Sequence, residues 1–296
     1  MVRFLPLLLA TTLMAASPAK QHTVTVDGHP FALFEKRADA ADKTIVLLHG
    51  RTWSSLPDFD LVSENEDLSL MNALVAAGFA VYALDMRGYG KTPRDASGWL
   101  SPNKAARDLA GVLRWVKANS GIGDTPALFG WPLGSTVAHL TVQNHPDLAS
   151  HLILYGYWKD PDMVIPESPD PATQERRVNT AEAAASDFII PGSISKEAID
   201  AYVAMCLAAD PTRVDFRRVH QFNALDPAKV TIPTLFLQGA KDPLIKPEAA
   251  GRLFTRLGTM DKEWVSIAGG DHAAHLEAPR ARFIHALVGF VRRPGG

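Results

Sequence analysis

Short apolar runs alternate with stretches of helical spacing along most of the chain, and this alternation restricts the fold more than any other feature. A continuous apolar run is typical of a strand buried on both faces, as in a parallel sheet. The alternation predicts an α/β protein whose mostly parallel central sheet carries helices on both faces. The predicted strands are residues 44–48, 79–84, 125–129, 151–155, 232–237 and 262–267, and the helices are residues 68–77, 101–119, 132–144 and 280–291.

The ends of this pattern define the domain organisation. Residues 22–26 and 31–35 alternate in polarity around Asp27-Gly28-His29-Pro30, which predicts a β-hairpin. From Tyr157 to Val230 the alternation stops, prolines cluster, and helical stretches follow at residues 172–185 and 195–208. The sequence therefore predicts one α/β core, residues 20–156 and 231–296, interrupted by a helical cap at residues 157–230.

The N-terminus has the parts of a secretory signal peptide. Arg3 precedes an apolar run over residues 4–16, and Ser17-Pro18-Ala19 supplies small residues for cleavage. We expect a signal peptide over residues 1–19 and an exported protein, periplasmic or secreted, that begins near Lys20 and has no membrane association after cleavage. The alternatives are an uncleaved anchor or a wrongly assigned start codon.

Bulk composition excludes some classes of partner. A chain of 296 residues that is 47% hydrophobic can bury a sizeable core. Its net charge of −2 and the lack of a long Lys/Arg run argue against nucleic acid or an anionic membrane surface as partner. Cys206 is the single cysteine, so no internal disulfide is possible.

Five motifs follow predicted strands, where ligands of open parallel sheets bind. They occur in the order HGRTW, LDMRGYGKTP, GWPLG, LQGAKDPL and GGDHAAHLE. With these motifs the chain resembles the α/β-hydrolase fold superfamily, of the esterase and lipase type that also carries a helical cap. The resemblance covers about Asp42 to Arg292, nearly the whole mature chain.

The resemblance implies a serine-hydrolase site whose roles transfer residue by residue. Asp242 matches the acid that orients the histidine, and His272 matches the general base. The backbone N–H groups of Arg51 and Leu133 match the donors of the oxyanion hole. The implied reaction is hydrolysis of an ester, amide or similar acyl bond in a small organic substrate, without a cofactor.

The elbow motif departs from the family at its central residue. In G-x-S-x-G the serine is the nucleophile, but here Gly130, Trp131 and Gly134 surround Pro132. The family serine has positive φ, whereas proline is locked at about −65°, so the substitution removes both the oxygen and the backbone shape that presents it. We expect an ordinary proline start to the helix, a Leu133 N–H turned away from the oxyanion hole, and a pseudoenzyme.

Several alternatives remain open from the sequence. Ser135 could replace the nucleophile, although in a helix its oxygen is expected to face the sheet or the helix's own carbonyls. Asp242 and His272 could activate water directly, or the chain could be a non-catalytic protein that binds a ligand beneath the cap. One base change turns a TCN serine codon into a CCN proline codon, so Pro132 itself is a natural variant, a deliberate change or an error.

Other candidates carry less weight. His272 and His275 form an H-x-x-H pair, but no further ligands stand at a known spacing, so no metal site is predicted. Trp53, Trp131 and Trp158 are candidates for lining the pocket, and aromatic packing explains them equally well. The substrate and the oligomeric state are not predicted.

Overall fold

The computed structural model describes residues 18–173 and 176–293 of the chain. The predicted signal peptide lies outside the described residues except for its last two positions. Every helix in the described part is too short or too polar to span a bilayer.

Ten strands and eight α-helices are present among the described residues. The strands are β1 (Lys20–Val26), β2 (His29–Arg37), β3 (Lys43–Leu48), β4 (Phe79–Leu84), β5 (Trp99–Leu100), β6 (Ala127–Gly130), β7 (Leu152–Tyr155), β8 (Asp215–Phe216), β9 (Thr234–Gly239) and β10 (Lys262–Ile267). The helices are α1 (Ser55–Phe59), α2 (Leu70–Ala76), α3 (Pro102–Asn119), α4 (Leu133–Asn144), α5 (Ala181–Ala185), α6 (Lys196–Ala209), α7 (Pro247–Arg256) and α8 (Arg280–Arg292).

Eight of these strands form the central sheet in the order β1-β2-β4-β3-β6-β7-β9-β10. The β1–β2 and β2–β4 pairs are antiparallel, and the other neighbouring pairs are parallel, which confirms the predicted mostly parallel sheet. The predicted hairpin is also confirmed, but its turn is only Asp27-Gly28. Both residues have positive φ, +48° and +77°, as the tight type I′ turn of a hairpin requires.

Alternate residues of the central strands feed two apolar clusters, one on each face of the sheet. In β3, Val46 and Leu48 belong to the cluster that includes α3 and α4, whereas Ile45 and Leu47 belong to the cluster that includes α2 and α8. All four side chains are fully buried. The carboxyl ends of the central strands therefore project from a closely packed core, which fixes the loops that follow them.

Residues 157–230, which we call the cap segment, connect β7 to β9 and contain α5, α6 and β8. Strand β8 pairs in parallel with β5 of the core, so a small two-stranded sheet joins the two parts. A third apolar cluster also joins them, because Trp53 and Leu61 of the core pack with Tyr202 and Cys206 of α6.

The first helix predicted in the cap segment, residues 172–185, is wrong over most of its length. The helix begins only at Ala181, where the Thr180 hydroxyl caps it by accepting a hydrogen bond from a backbone N–H three residues on. Upstream, Val178 forms an antiparallel bridge with Thr212. Tertiary pairing thus engages Val178 in a β-bridge, although the residue spacing alone favours a helix there.

The buried His139 on α4 makes the stability of the fold depend on pH. Its side chain is fully buried, and its Nδ1 lies 2.8 Å from the hydroxyl of Tyr157. Burial lowers the pKa of this imidazole to about 4 from its usual 6.5. Because the unfolded chain then binds a proton that the folded chain does not, the free energy of unfolding decreases as pH falls from about 6.5 towards 4.

Between pH 7 and pH 5 the buried His139 lowers the free energy of unfolding by about 2 kcal/mol. We expect His139→Phe to abolish this part of the decrease. Urea denaturation at the two pH values measures this difference. The exposed His285 supplies a control, since His285→Gln should leave the pH dependence as it is. A pH dependence that is the same in His139→Phe and the unsubstituted chain would contradict a neutral buried imidazole.

Candidate active site at the carboxyl end of the sheet

The loops after β3, β6 and β10 bring the sequence-predicted residues to one cavity. This cavity, of about 250 Å³, is lined by Arg51, Pro132, Leu133 and His272 together with residues of the cap segment. Asp242, in the loop after β9, reaches the site through its contact with His272. We call this space the apolar cavity, because its remaining walls are the side chains of Trp158, Phe216, Val219 and Leu244.

Asp242 and His272 form a buried hydrogen-bonded pair. The distance from His272 Nδ1 to Asp242 Oδ2 is 2.8 Å, and the Leu244 N–H donates to the other carboxylate oxygen at 2.9 Å. The indole N–H of Trp131 donates to the carbonyl oxygen of His272 at 2.8 Å. With Nδ1 donating to Asp242, the lone pair of His272 lies on Nε2, which is the arrangement that a general base needs.

Pro132 enters α4 in a relaxed helical conformation. Its φ is −76° and its ψ is −38°, and Ser135 N–H donates to its carbonyl oxygen at 3.2 Å. The predicted proline start is confirmed, and position 132 lacks the positive φ of a family nucleophile. The physical cause is the pyrrolidine ring, which fixes φ in the negative range.

The ring of Pro132 nevertheless lies where a nucleophile would face the base. A Cβ built on Gly156, just after β7, would lie 3.3 Å from Pro132 Cβ and 3.1 Å from His272 Cε1. On the other side, a Cβ built on Gly50 would lie 2.9 Å from Pro132 Cδ. The ring thus fits between two glycines and beside the imidazole, and it offers no hydroxyl.

The glycines of the elbow keep their close backbone contacts. A Cβ on Gly130 would lie 2.3 Å from the carbonyl oxygen of Gly134, and a Cβ on Gly134 would lie 2.2 Å from that of Leu48. Contacts this short exclude any side chain. The packing of α4 against β3 therefore survives the change at position 132.

Neither hydroxyl that follows the elbow is free to act as a nucleophile. Ser135 is fully buried, and its Oγ donates to the carbonyl oxygen of Pro132 at 2.5 Å. The Thr136 hydroxyl donates in the same way to Leu133, at 2.8 Å. The expectation that the Ser135 oxygen faces the helix's own carbonyls is confirmed.

His49 holds the loop that carries the candidate oxyanion donor. The Met86 N–H donates to His49 Nε2 at 2.9 Å, so His49 Nδ1 donates to the carbonyl oxygen of Gly50, also at 2.9 Å. Burial lowers the pKa of His49 to about 3, which keeps the ring neutral. The carbonyl oxygen of Arg51 accepts from the Tyr89 hydroxyl at 2.6 Å. The Arg51 N–H lies next to these fixed groups, whereas its side chain is exposed.

Sequence reasoning missed a second cavity beside the first. It has a volume of about 200 Å³, and Asp58 and Asp187 line it together with Pro132 and His272. We call it the carboxylate cavity. No sequence signal marks either aspartate, because Asp58 lies on the short helix α1 and Asp187 lies in the cap segment after α5. The suggested tryptophans do line the two cavities, Trp53 and Trp131 the carboxylate cavity and Trp158 the apolar one.

The H-x-x-H pair does not converge on a common ligand position. His275 is fully buried, and its Nε2 lies 3.0 Å from the carbonyl oxygen of Asp58. Burial lowers its pKa to about 3. In the described part of the chain, no group of three or more His, Cys, Asp or Glu side chains is arranged to hold a metal ion.

Comparisons with known proteins agree with this fold. A family model described as serine aminopeptidase, S33, matches residues 39–279. None of the curated proteins compared with the chain matches it significantly in sequence.

Three solved structures illustrate the likeness. The thioesterase domain from the curacin biosynthetic pathway is 16% identical, with a TM-score of 0.66 over 92% of this chain and 99% of that chain. E-2-(acetamidomethylene)succinate hydrolase is 18% identical, with a TM-score of 0.64 over 93% and 100%. A malate-bound thermophilic esterase from Thermogutta terrifontis is 22% identical, with a TM-score of 0.62 over 93% and 98%. At these identities the likeness shows the α/β-hydrolase fold and not the chemistry.

The elbow contacts give a stability prediction. Gly134→Ala places a methyl group against the Leu48 carbonyl oxygen, so we expect it to lower the free energy of unfolding by about 3 kcal/mol. Gly289→Ala, in the middle of α8, would meet no atom within 4 Å among the described residues outside its own stretch of helix, so it should raise the free energy of unfolding by about 1 kcal/mol. Urea denaturation compares the two, and equal midpoints for Gly134→Ala and the unsubstituted chain would contradict the close contact.

Proposed function

Because the chain belongs to the serine aminopeptidase, S33, family of α/β hydrolases, we propose that its site derives from a serine hydrolase for an ester, amide or similar acyl bond. The observation that supports this most directly is the buried Asp242–His272 pair, 2.8 Å apart, beside position 132. With Pro132 in the nucleophile position, the proposed state of this chain is inactive or severely impaired in acyl-enzyme chemistry.

With serine at position 132, the roles would be those of a triad. The serine oxygen attacks the substrate carbonyl while His272 Nε2 takes its proton, and Asp242 holds the ring and stabilises the imidazolium. Backbone N–H groups of Arg51 and Leu133 stabilise the oxyanion. His272 then returns the proton to the leaving group, and water releases the acyl group in the same manner.

The shape of the apolar cavity indicates the kind of substrate. Trp158, Phe216 and Val219 supply apolar walls, and 250 Å³ suits a small or medium organic group. We therefore propose an apolar acyl group for this cavity. The names of the structural neighbours (a thioesterase domain, a succinate-derivative hydrolase and an esterase) agree with cleavage of an acyl bond.

A second candidate is a non-catalytic protein that binds a ligand. One observation favours it: Pro132 leaves the apolar cavity open and forms part of its wall. Such a protein would retain the fold and the cavity and would need neither a nucleophile nor an oxyanion hole.

Export is also proposed, since the apolar N-terminal run and its small-residue end support a cleaved signal peptide. N-terminal sequencing of protein from the periplasmic or culture fraction should begin near Lys20. Recovery of protein that begins at Met1 would contradict cleavage.

Restoring the nucleophile tests the proposed scaffold. We expect Pro132→Ser to react with a fluorophosphonate probe and to hydrolyse a short p-nitrophenyl ester at least about a thousandfold faster than the unsubstituted chain, because loss of the nucleophile costs serine hydrolases on the order of a millionfold. Pro132→Ala is the matched control, as it removes the ring without adding a hydroxyl, and it should not be labelled.

Two outcomes would count against the proposal. Labelling of the unsubstituted chain at Ser135 would show a substitute nucleophile. A folded Pro132→Ser variant that neither reacts nor is labelled, but binds an apolar ester, would favour the binding protein.

A further inference from the structure

We propose that the unsubstituted chain holds a water molecule between His272 and Asp187 and uses it to hydrolyse activated esters of apolar acids without an acyl-enzyme. This activity goes beyond the function proposed above. It rests on the role proposed there for His272, and it needs no serine at position 132.

The apolar cavity and the carboxylate cavity meet beside His272, the proposed general base. Arg51, Pro132, Leu244 and His272 line both the apolar cavity and the carboxylate cavity. An ester whose acyl group fills the apolar cavity therefore places its carbonyl carbon at the junction, next to His272. The carboxylate cavity, at about 200 Å³, has ample room for water, which occupies about 30 Å³ in the liquid.

The hydrogen bonds around Tyr202 show where the negative charge lies. The Tyr202 hydroxyl is 3.2 Å from Asp58 Oδ1 and 3.0 Å from Asp187 Oδ2, but it carries a single proton. With one proton it makes two full hydrogen bonds only by donating to one carboxyl group and accepting from the other, which is then protonated. Asp58 is only 1% exposed, so the protonated group is Asp58.

This assignment satisfies each polar group around the pair. Asp58 donates to Tyr202 through one oxygen and accepts from the Gly50 N–H through the other, at 3.2 Å. Burial raises the pKa of both carboxyl groups, that of Asp58 well above its usual value, and Asp58 is the group more shielded from solvent. Asp187 Oδ2 accepts from Tyr202 and from the indole N–H of Trp53, both at 3.0 Å.

Asp187 Oδ1 is left without a hydrogen-bond partner among the described residues. Asp187 is partly exposed and lines the carboxylate cavity, so this oxygen is an acceptor available to a molecule there. His272 Nε2 is a second acceptor in the same wall. A water molecule has two O–H donors, and binding to these two acceptors leaves its lone pairs free to attack a carbonyl at the junction.

The reaction balances without a co-reactant. The water oxygen forms a bond to the carbonyl carbon as His272 Nε2 takes one proton, and the carbonyl π electrons move to the oxygen. The tetrahedral intermediate then expels the alcohol oxygen, which receives the proton from His272, and the products are a carboxylic acid and an alcohol. Asp187 orients the water, and its charge stabilises the transient imidazolium.

The full, unsubstituted chain is tested with p-nitrophenyl butyrate. We expect hydrolysis without an initial burst, unaffected by a fluorophosphonate, slower in D₂O, and on the order of a hundredfold faster than in His272→Ala. Asp187→Asn should lower kcat on the order of tenfold with KM unchanged, because its amide can accept from Trp53 and Tyr202 but presents a donor to the water. Asp200→Asn, an exposed change on α6, is the matched control.

Four results would overturn the water site. The first two are a hydrolysis rate of the unsubstituted chain equal to that of His272→Ala, and a kcat that Asp187→Asn does not change. The third is a rate that is the same in D₂O, which indicates direct attack by imidazole, and the fourth is an initial burst of p-nitrophenol. Urea denaturation of Asp187→Asn and Asp200→Asn separates a loss of folding from a loss of catalysis, and Trp53→Phe, which removes one donor to Asp187, should lower kcat by a smaller factor. Labelling of Pro132→Ser together with an inactive unsubstituted chain would reject only the water site. An active unsubstituted chain together with an unlabelled Pro132→Ser variant would reject only the serine-hydrolase scaffold.

Discussion

Three backbone segments meet at the carboxyl end of the central strands with no space for a side chain between them. The Leu48 carbonyl oxygen touches the position of a Gly134 Cβ, and the carbonyl of Gly134 touches the position of a Gly130 Cβ. These contacts hold the start of α4 against the ends of β3 and β6, while φ at position 132 differs from that of a family nucleophile. Pro132 therefore relaxes its own φ, but its ring stays beside His272 in the place of a nucleophile.

The acid and base take only part of their support from that turn, through Trp131. Asp242 is held by the Leu244 N–H, and His272 is held by Asp242 and by the indole of Trp131. These bonds belong mainly to the loops after β9 and β10. The substitution thus removes the nucleophile and leaves an intact hydrogen-bonded pair, which explains how one site supports two different catalytic proposals.

The fold was predictable from sequence because it depends on local patterns, and the Asp242–His272 pair was predictable from the resemblance to α/β hydrolases. Buried parallel strands read as apolar runs, and the two side chains lie directly after such runs. The φ of Pro132 was predictable as well, since its ring sets that angle with little influence from the surroundings.

The two aspartates of the carboxylate cavity were not predictable, because they are distant in sequence and neither belongs to a motif. Asp58 and Tyr202 are 144 residues apart and meet only when the cap segment packs on α1. The bridge from Val178 to Thr212 before α5 was not predictable for the same reason, since it is a tertiary contact. Hydrophobic periodicity carries no information about pairings of this kind.

The small β5–β8 sheet has a consequence for how specificity can change. Phe216 is at once a strand residue hydrogen-bonded to the core and a wall of the apolar cavity. Its backbone cannot shift to admit a larger ligand without breaking that pairing. Divergence at this wall therefore proceeds by exchanging side chains on a fixed frame, and the cap cannot swing open there as a rigid lid while the pairing persists.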